Sequence, residues 1–336
     1  MIRSLAALAP VTPIDTAITY VGRFAPSPTG PLHFGSLVSA LASYLHAHAH
    51  QGLWLVRMED LDPPREQAGA ADAILRCLEA HQLHWDGPVL YQSQRLDAYD
   101  EVLSALRREG LLYACDCTRQ DLQAMGGIYN GRCRRRNIDL SRPHAWRLKL
   151  YDLPQPYAAL DEVVFFKDLI QGEQRQDLRL KAGDQILKRK DHLFAYQLAV
   201  VTDDIAQQVT HIIRGQDLLE VTARQIFLFR LLGIQAESSP GVPSEATLGR
   251  KLPEFGHVPL VLNHCGQKLS KQNLAPPLDD SRAGNNLWHA LEFLGQNPPP
   301  TLENASAADV LAWGKQHWDM RLLQPDNRTA SDCKTN

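Results

Sequence analysis

The sequence lacks any hydrophobic run near the ~18 residues that a membrane-spanning helix needs, so we predict a chain outside the membrane. The N-terminus up to Ala9 also lacks the apolar core of a secretory signal, because Pro10 and Pro13 interrupt it. We therefore expect a cytoplasmic, reducing compartment. In that compartment the six cysteines should be thiols or metal ligands rather than disulfides.

Neither sign of charge is in excess, since 35 Lys and Arg residues stand against 38 Asp and Glu residues and the net charge is −3. Any nucleic-acid site must then be a local patch rather than the whole surface. The 336 residues, 44% of them hydrophobic and 22% charged, have the composition of a globular protein with one large or two ordinary domains.

The pattern from Ile18 to Met58 predicts a β-α-β unit. A strand at 18–24 precedes a turn rich in Pro and Gly, a helix begins near His33, and a buried strand covers 53–58. Such a unit implies a right-handed crossover and a parallel sheet, so we expect an α/β fold. A further strand is predicted at 258–262.

The remaining segments differ in character. Residues 1–17 look like a loose extension, 115–185 read as a polar, basic insertion with little core, and 235–253 read as a surface loop. Beyond a helix around 286–294, the chain ends in a polar tail, 296–336.

The strongest motif is the turn between the first strand and helix, Arg23 to Ser36. Gly35 would let a ligand approach the backbone, and the helix N-terminus offers unpaired N–H groups to a phosphate. His33 could donate to a phosphate oxygen; the alternative is an ordinary turn with a helix-capping histidine.

A second motif, from Lys268 to Gln272, places two lysines on one loop. Lys268 and Lys271 could surround a triphosphate and stabilise the charge that develops as pyrophosphate leaves. The alternative is a pair of solvated surface lysines.

The insertion carries a possible metal site and a basic patch. Cys115, Cys117 and Cys133 supply three thiolates within nineteen residues, which suits a structural zinc, although reduced thiols without metal are the alternative. The basic stretch that follows favours contact with RNA phosphates over a merely solvated face. Its members are Arg132, Arg134, Arg135, Arg136, Arg142, Arg147 and Lys149.

From about Tyr20 to about Leu294 the chain resembles class I glutamyl-tRNA synthetases. Residues 33–36 are similar to their HIGH signature and residues 268–272 to their KMSKS signature. One departure is Ser36, which stands where the HIGH string ends in histidine. Other similar segments are 57–62, 91–95, 113–117, 194–204 and 211–215.

The resemblance implies a Rossmann-type parallel-sheet catalytic domain in two halves. The halves are 18–114 and 186–263, and the zinc-bearing insertion at 115–185 separates them. A short C-terminal module at 264–295 would carry the KMSKS-like loop, and we expect no anticodon-binding domain after it.

That shortness makes the chain resemble the truncated family of glutamyl-queuosine tRNA(Asp) synthetases. The family activates L-glutamate with ATP and Mg²⁺ without tRNA, then attaches it to queuosine in the anticodon of tRNA(Asp). The resemblance also implies one structural Zn²⁺ with Tyr129 as the fourth ligand, and we expect a monomer. Alternatives are an ordinary glutamyl-tRNA synthetase and a catalytically silent RNA-binding paralogue.

Matching to the family residue by residue implies roles for side chains. Arg23 and Arg214 would bind carboxylates, Glu59 the ammonium, and Tyr196 would offer a hydroxyl; the alternatives are a surface ion pair for Arg214 and pairing with Arg57 for Glu59. The implied glutamate-binding set is Arg23, Phe24, Ala25, Pro26, Ser27, Glu59, Tyr196 and Arg214. ATP would be bound by His33, Gly35 and Lys271, and the catalytic residues would be His33, Lys268 and Lys271.

Overall fold

The structure is a computed structural model. It describes residues 5–11, 14–15, 17–234, 251–263, 268–269, 275–325 and 328–329. The helices are α1 (Phe34–Ala49), α2 (Ala70–Ala80), α3 (Leu96–Arg108), α4 (Arg119–Ala124), α5 (Leu178–Lys181), α6 (Tyr196–Ala206), α7 (Leu219–Leu231), α8 (Ala283–Phe293) and α9 (Ala307–His317). The strands are β1 (Val21–Phe24), β2 (Leu53–Met58), β3 (Leu90–Tyr91), β4 (Leu112–Cys115), β5 (Ala145–Leu148), β6 (Val163–Asp168), β7 (Gly172–Asp177), β8 (Gln185–Lys188), β9 (His211–Gly215), β10 (Glu254–Val258), β11 (Val261–Leu262) and β12 (Arg328–Thr329).

A mostly parallel sheet forms the centre of the fold, which confirms the predicted α/β class. β1, β2 and β3 pair in parallel, as do β9, β10 and β6, and β7 adds an antiparallel edge. The two groups meet where β9 lies beside β1: the backbone N–H of Thr210 donates to the carbonyl of Val21 at 2.9 Å. The resulting order is β3-β2-β1-β9-β10-β6-β7.

Both faces of this sheet are covered. The neighbouring residues Ile212 and Ile213 of β9 point to opposite faces and belong to different hydrophobic clusters. Helices α3, α6 and α7 pack in the first cluster, and α1 and α8 pack in the second. A strand buried on both faces explains the near-continuous apolar runs in the sequence.

The predicted strand at 258–262 is wrong, because β10 covers 254–258 and ends before Pro259. A proline has no N–H to donate to the sheet, so the ladder stops there. β11 is a separate short strand that pairs with β12.

Three predictions of loose or polar segments also need correction. Residues 145–185 are not poor in core, since β5 and β8 pair with each other and Leu148 and Val164 are fully buried. The extension is not loose at Ala7, which is buried and whose N–H donates to Glu101 at 2.9 Å. The tail is not merely polar, since α9 packs on the core through Val310.

The predicted surface loop at 235–253 lies almost entirely outside the described residues. None of the helices that the structure describes is long and apolar enough to cross a membrane.

Candidate active site

A cavity of about 450 Å³ opens at the carboxyl ends of β1 and β9. The strand order reverses here, because β2 follows β1 on one side and β9 lies on the other; ligands of open α/β sheets bind at such a point. The predicted residues that line the cavity are Arg23, Phe24, Ala25, Pro26, Ser27, His33, Gly35, Glu59, Tyr196, Arg214 and Lys268. The structure therefore brings together every predicted glutamate and ATP residue except Lys271, which lies outside the described residues.

Arg23 reaches the cavity from the end of β1 and is fixed from behind by Asp204 of α6. The Arg23 Nε lies 3.2 Å from Asp204 Oδ1, and Arg57 Nη2 lies 2.8 Å from the same oxygen. All three side chains are buried. Asp204 is thus shared between two cations, and Arg23 forms no other ion pair among the described residues, which leaves part of its positive charge for an anionic ligand in the cavity.

Glu59 follows β2 and is placed against the first turn, since its N–H donates to the carbonyl of Pro26 at 3.0 Å. Its Oε1 is buried without a hydrogen-bond partner among the described residues and lies 3.7 Å from Arg57 Nη2. Burial raises the pKa of Glu59 to about 7, although Arg57 and Arg23 act in the opposite direction. Pairing with Arg57 is therefore real but loose, and the carboxylate keeps a lone pair for an ammonium donor.

This pKa predicts a pH dependence for substrate binding. An ammonium requires the ionised carboxylate, so kcat/KM for glutamate should rise about tenfold between pH 6 and pH 8 as Glu59 loses its proton. The measurement is pyrophosphate exchange at several pH values. Glu59→Gln, which cannot titrate, should be weaker and should lose this inflection; an unchanged inflection in that variant would remove Glu59 from the role.

Arg214 enters from the opposite side, at the end of β9. It is 5% exposed and donates from Nε to His257 Nε2 at 3.0 Å and from Nη2 to Gln225 Oε1 at 2.7 Å. Arg214 Nη1 has no hydrogen-bond partner in the described part of the chain. The alternative of a surface ion pair is wrong, because Arg214 is buried and forms no ion pair with any described carboxylate.

The N-terminus of α1 forms the third wall. His33 caps the helix, as its Nδ1 accepts from the Ser36 N–H at 3.3 Å, so Nε2 carries the proton in the neutral ring. Ser36 needs only its backbone N–H for this contact, so the cap does not depend on which side chain stands at the last position of the motif. At Gly35 a Cβ atom would lie 3.3 Å from the His33 ring and 3.5 Å from the Leu269 carbonyl. The absence of a side chain therefore lets the His33 ring and the Leu269 backbone lie close to the first turn of α1.

Lys268 lies at the mouth of the cavity, opposite α1. Its Nζ is 2.6 Å from Asp217 Oδ2, in the turn after β9, and its backbone bridges to Leu262. The ion pair holds the lysine head on Asp217, and both residues line the cavity together with the first turn of α1, where phosphates are favoured.

The residues that hold these side chains in place were missed by the sequence reasoning. Asp204 lies in the 194–204 segment and Asp217 lies two residues after the 211–215 segment, so both were near quoted motifs. His257 and its partner Asp168 had no such signal, because their neighbours come from other strands.

The predicted cysteine cluster is assembled in space. The thiols of Cys115, Cys117 and Cys133 lie within 4.8 Å of one another, and the Tyr129 hydroxyl accepts from the Cys133 N–H at 2.9 Å. These four side chains are mostly buried, with few other apolar neighbours. Three thiols at this spacing fit a tetrahedral zinc, with Tyr129 adjacent.

A second group of potential ligands, Cys77, His81 and Asp280, fits a metal less well. The His81 Nδ1 lies 2.7 Å from the Cys77 carbonyl and donates to it, so this nitrogen has no lone pair for a metal.

The basic stretch is only partly available for RNA. Arg147 of β5 is buried over the Tyr129 ring at 3.8 Å, and Arg134 Nε donates at 2.6 Å to Asp184, which precedes β8. The two arginines therefore hold residues 116–144, the cysteine module, to the antiparallel sheet of β4, β5 and β8. Arg136 pairs with Asp116 at 2.8 Å. Arg135 and Arg142 are exposed and form no ion pair among the described residues. Fewer than seven cations of the stretch are therefore free, and contact with RNA phosphates stays a prediction.

Comparison with known proteins gives a consistent result. The family model for tRNA synthetases class I (E and Q), catalytic domain, matches residues 20–285. A Pseudomonas fluorescens protein called glutamyl-Q tRNA(Asp) synthetase is 47% identical over 92% of this chain and 95% of its own length. A Vibrio cholerae protein with the same description is 46% identical over 91% of this chain and 92% of its own.

Solved structures show the same fold. A glutamate tRNA ligase from Elizabethkingia meningosepticum, crystallised with its amino acid, has a TM-score of 0.69 and 25% identity over 92% of this chain. This chain spans 66% of that ligase. A glutamate-tRNA synthetase from Elizabethkingia anophelis has a TM-score of 0.71 at 24% identity. The match covers 92% of this chain and 68% of that synthetase.

Proposed function

Because the chain belongs to the glutamyl-Q tRNA(Asp) synthetase family of class I synthetase-like ligases, we propose that it joins L-glutamate to queuosine in tRNA(Asp). The reaction has two steps. ATP with Mg²⁺ first converts glutamate to glutamyl-adenylate, and a hydroxyl of the queuosine ring then takes the glutamyl group. We also propose that the enzyme works in the cytoplasm as a monomer.

One observation supports the first step: the described residues predicted for glutamate and those predicted for ATP line a single cavity. Arg23, Arg214 and Glu59 supply two cations and one anion, the complement of the two carboxylates and one ammonium of glutamate. The N-terminus of α1, with His33, and the Lys268 head form the phosphate end.

In the activation step a glutamate α-carboxylate oxygen bonds to the α-phosphorus of ATP, and the bond from that phosphorus to pyrophosphate breaks. No side chain of the cavity needs to act as a nucleophile. Arg23, Glu59 and Arg214 orient the amino acid, which converts a two-molecule encounter into a positioned reaction. His33 Nε2–H and Lys268 would stabilise charge on the phosphates, and we assign the same role to Lys271 from its sequence position.

In the transfer step a hydroxyl oxygen attacks the activated carbonyl carbon, its proton is lost, and AMP leaves. The exposed Arg135 and Arg142, together with the paired Arg132 and Arg136 at the surface, are the cations that we expect near tRNA phosphates. Cys115, Cys117, Cys133 and Tyr129 would hold one Zn²⁺, whose role is to fold the module.

Exchange of labelled pyrophosphate into ATP tests the activation step. With glutamate and no tRNA, we expect exchange well above the rate without amino acid, and we expect aspartate not to replace glutamate. Exchange that appears only after addition of tRNA would contradict tRNA-independent activation. No exchange under either condition would indicate a silent RNA-binding paralogue.

A further inference from the structure

Behind Arg214, a buried row of polar side chains crosses three neighbouring strands. Asp168 ends β6, His257 lies in β10 and Arg214 lies in β9, with exposures of 1%, 0% and 5%. The Asp168 Oδ2 is 2.6 Å from His257 Nδ1, and His257 Nε2 is 3.0 Å from Arg214 Nε. Among the described residues, His257 is the one that contacts both the carboxylate and the guanidinium.

The chemistry of arginine fixes the proton positions in this row. A guanidinium Nε–H can only donate, so His257 Nε2 must accept and the ring proton must be on Nδ1, directed at Asp168. Both carboxylate oxygens of Asp168 accept hydrogen bonds. Oδ2 accepts from His257 Nδ1, and Oδ1 accepts from the backbone N–H groups of Ile170, Gln171 and His257 at 2.8–3.1 Å. Burial lowers the pKa of His257, which agrees with a neutral ring.

The other contacts of Arg214 complete its orientation. Nη2 donates to Thr222 Oγ1 at 2.8 Å and Gln225 Oε1 at 2.7 Å, which leaves Nη1 without a partner in the described structure. Each of these partners is uncharged, and the Asp168 charge is separated from the guanidinium by the imidazole. Arg214 is therefore a buried cation held in one orientation without an anion of its own, and such a cation strongly favours an anionic ligand.

We propose that Asp168 and His257 are positioning residues, which fix the Arg214 guanidinium for a glutamate carboxylate while leaving its charge uncompensated. The Nδ1–H tautomer of His257 is the element on which this depends. The inference rests on the proposed function in taking glutamate as the ligand.

The first test needs no substrate, and it uses a variant only to assign the signals. ¹⁵N NMR of histidine-labelled protein reports which ring nitrogen carries the proton, and the His257 signals are identified by their loss in His257→Gln. We expect the neutral Nδ1–H form. A neutral Nε2–H form, or a protonated ring at neutral pH, would overturn the proposal whatever the enzyme acts on.

The second test uses Asp168→Asn. The amide oxygen replaces Oδ1 towards the backbone N–H groups, so the amide NH₂ faces His257 Nδ1 and forces the proton onto Nε2. That proton then faces the Arg214 Nε–H, donor against donor. We expect KM for glutamate to rise roughly 10- to 100-fold in pyrophosphate exchange, with kcat and KM for ATP within about threefold of the parent.

A pair of variants at 257 separates positioning from simple packing. His257→Gln offers an oxygen that can accept from Arg214 Nε and should retain most glutamate affinity, whereas His257→Leu has no acceptor and should lose it as Asp168→Asn does. Equal effects of His257→Gln and His257→Leu would show a structural role and overturn the proposal. KM values for glutamate and for ATP that rise together would do the same. The correct tautomer combined with an unchanged glutamate KM in Arg214→Ala would instead refute glutamate as the ligand.

Discussion

Arg214→Ala should raise KM for glutamate by roughly 100-fold or more in pyrophosphate exchange, while KM for ATP changes little. The variant removes charge-assisted hydrogen bonds worth about 1.5–3 kcal/mol each, and two of them amount to a factor of that size. Arg214 Nη1 is the donor with no partner in the described structure, so the loss of this nitrogen should fall on the ligand. Loss of the hydrogen bonds to His257 and Gln225 should lower the stability of the fold instead. Arg214→Lys keeps the charge but not the fork, and should recover only part of the affinity.

Arg224 offers a matched control for Arg214. It lies on α7, is partly buried, and is not among the residues that line the cavity. Arg224→Ala should leave KM for glutamate within about threefold, and thermal unfolding of each variant checks that the fold is kept. A glutamate KM that is unchanged in Arg214→Ala would remove this residue from the amino-acid site.

Replacing Cys115 and Cys117 together by serine should abolish zinc binding and unfold the cysteine module. The parent should carry about one zinc per chain by elemental analysis, and the variant should carry none. Residues 116–144 should then become sensitive to protease, because this module has only a small buried cluster of its own and its helix, α4, has only six residues. Pyrophosphate exchange should persist, since neither Cys115 nor Cys117 is among the residues that line the cavity.

Cys77→Ser is the matched control, because Cys77 is a buried thiol outside the cluster. It should retain zinc and resist protease as the parent does. Absence of zinc from parent protein prepared without chelators would end the zinc proposal.

The local parts of the fold were predictable because short-range patterns determine them. The predicted strand at 53–58 has the same first and last residues as β2. The predicted helix start near His33 is confirmed, because His33 caps α1 by accepting from the Ser36 N–H. The cavity residues were found because they sit in motifs at strand ends, and parallel strands bring their carboxyl ends to one edge.

What failed depends on contacts that are distant in the sequence. Residues 145–185 looked polar, yet alternate side chains such as Leu148 and Val164 enter the core once the strands pair. Arg134 and Arg147 looked like RNA-binding cations, but Asp184 and the Tyr129 ring occupy them. Charge in a sequence gives no information on which partner a fold supplies, so such cations cannot be sorted before the structure is known.

The Asp168–His257 pair could not be found by any motif. The two residues are 89 positions apart in the sequence. The parallel pairing of β10 with β6 brings Phe255 level with Asp168 and so places His257 beside it. A lone buried histidine is in most cases a packing residue, and its two occupied nitrogens are visible only in three dimensions.

The acceptor is the central claim, and labelled glutamate on tRNA tests it most directly. Three substrates are compared: tRNA(Asp) with queuosine, tRNA(Asp) without queuosine, and tRNA(Glu). One set is treated with periodate, which destroys the 3′-terminal diol, before ATP, glutamate and enzyme are added. Because periodate also attacks a free cis-diol on queuosine, a second set is charged without this treatment and then digested to nucleosides. We expect label on queuosine-containing tRNA(Asp) alone, recovered in the modified nucleoside of the anticodon after digestion. Label on untreated tRNA(Glu) that is released with the 3′-terminal adenosine, and that periodate prevents, would contradict the proposed acceptor and assign the chain ordinary glutamyl-tRNA synthesis.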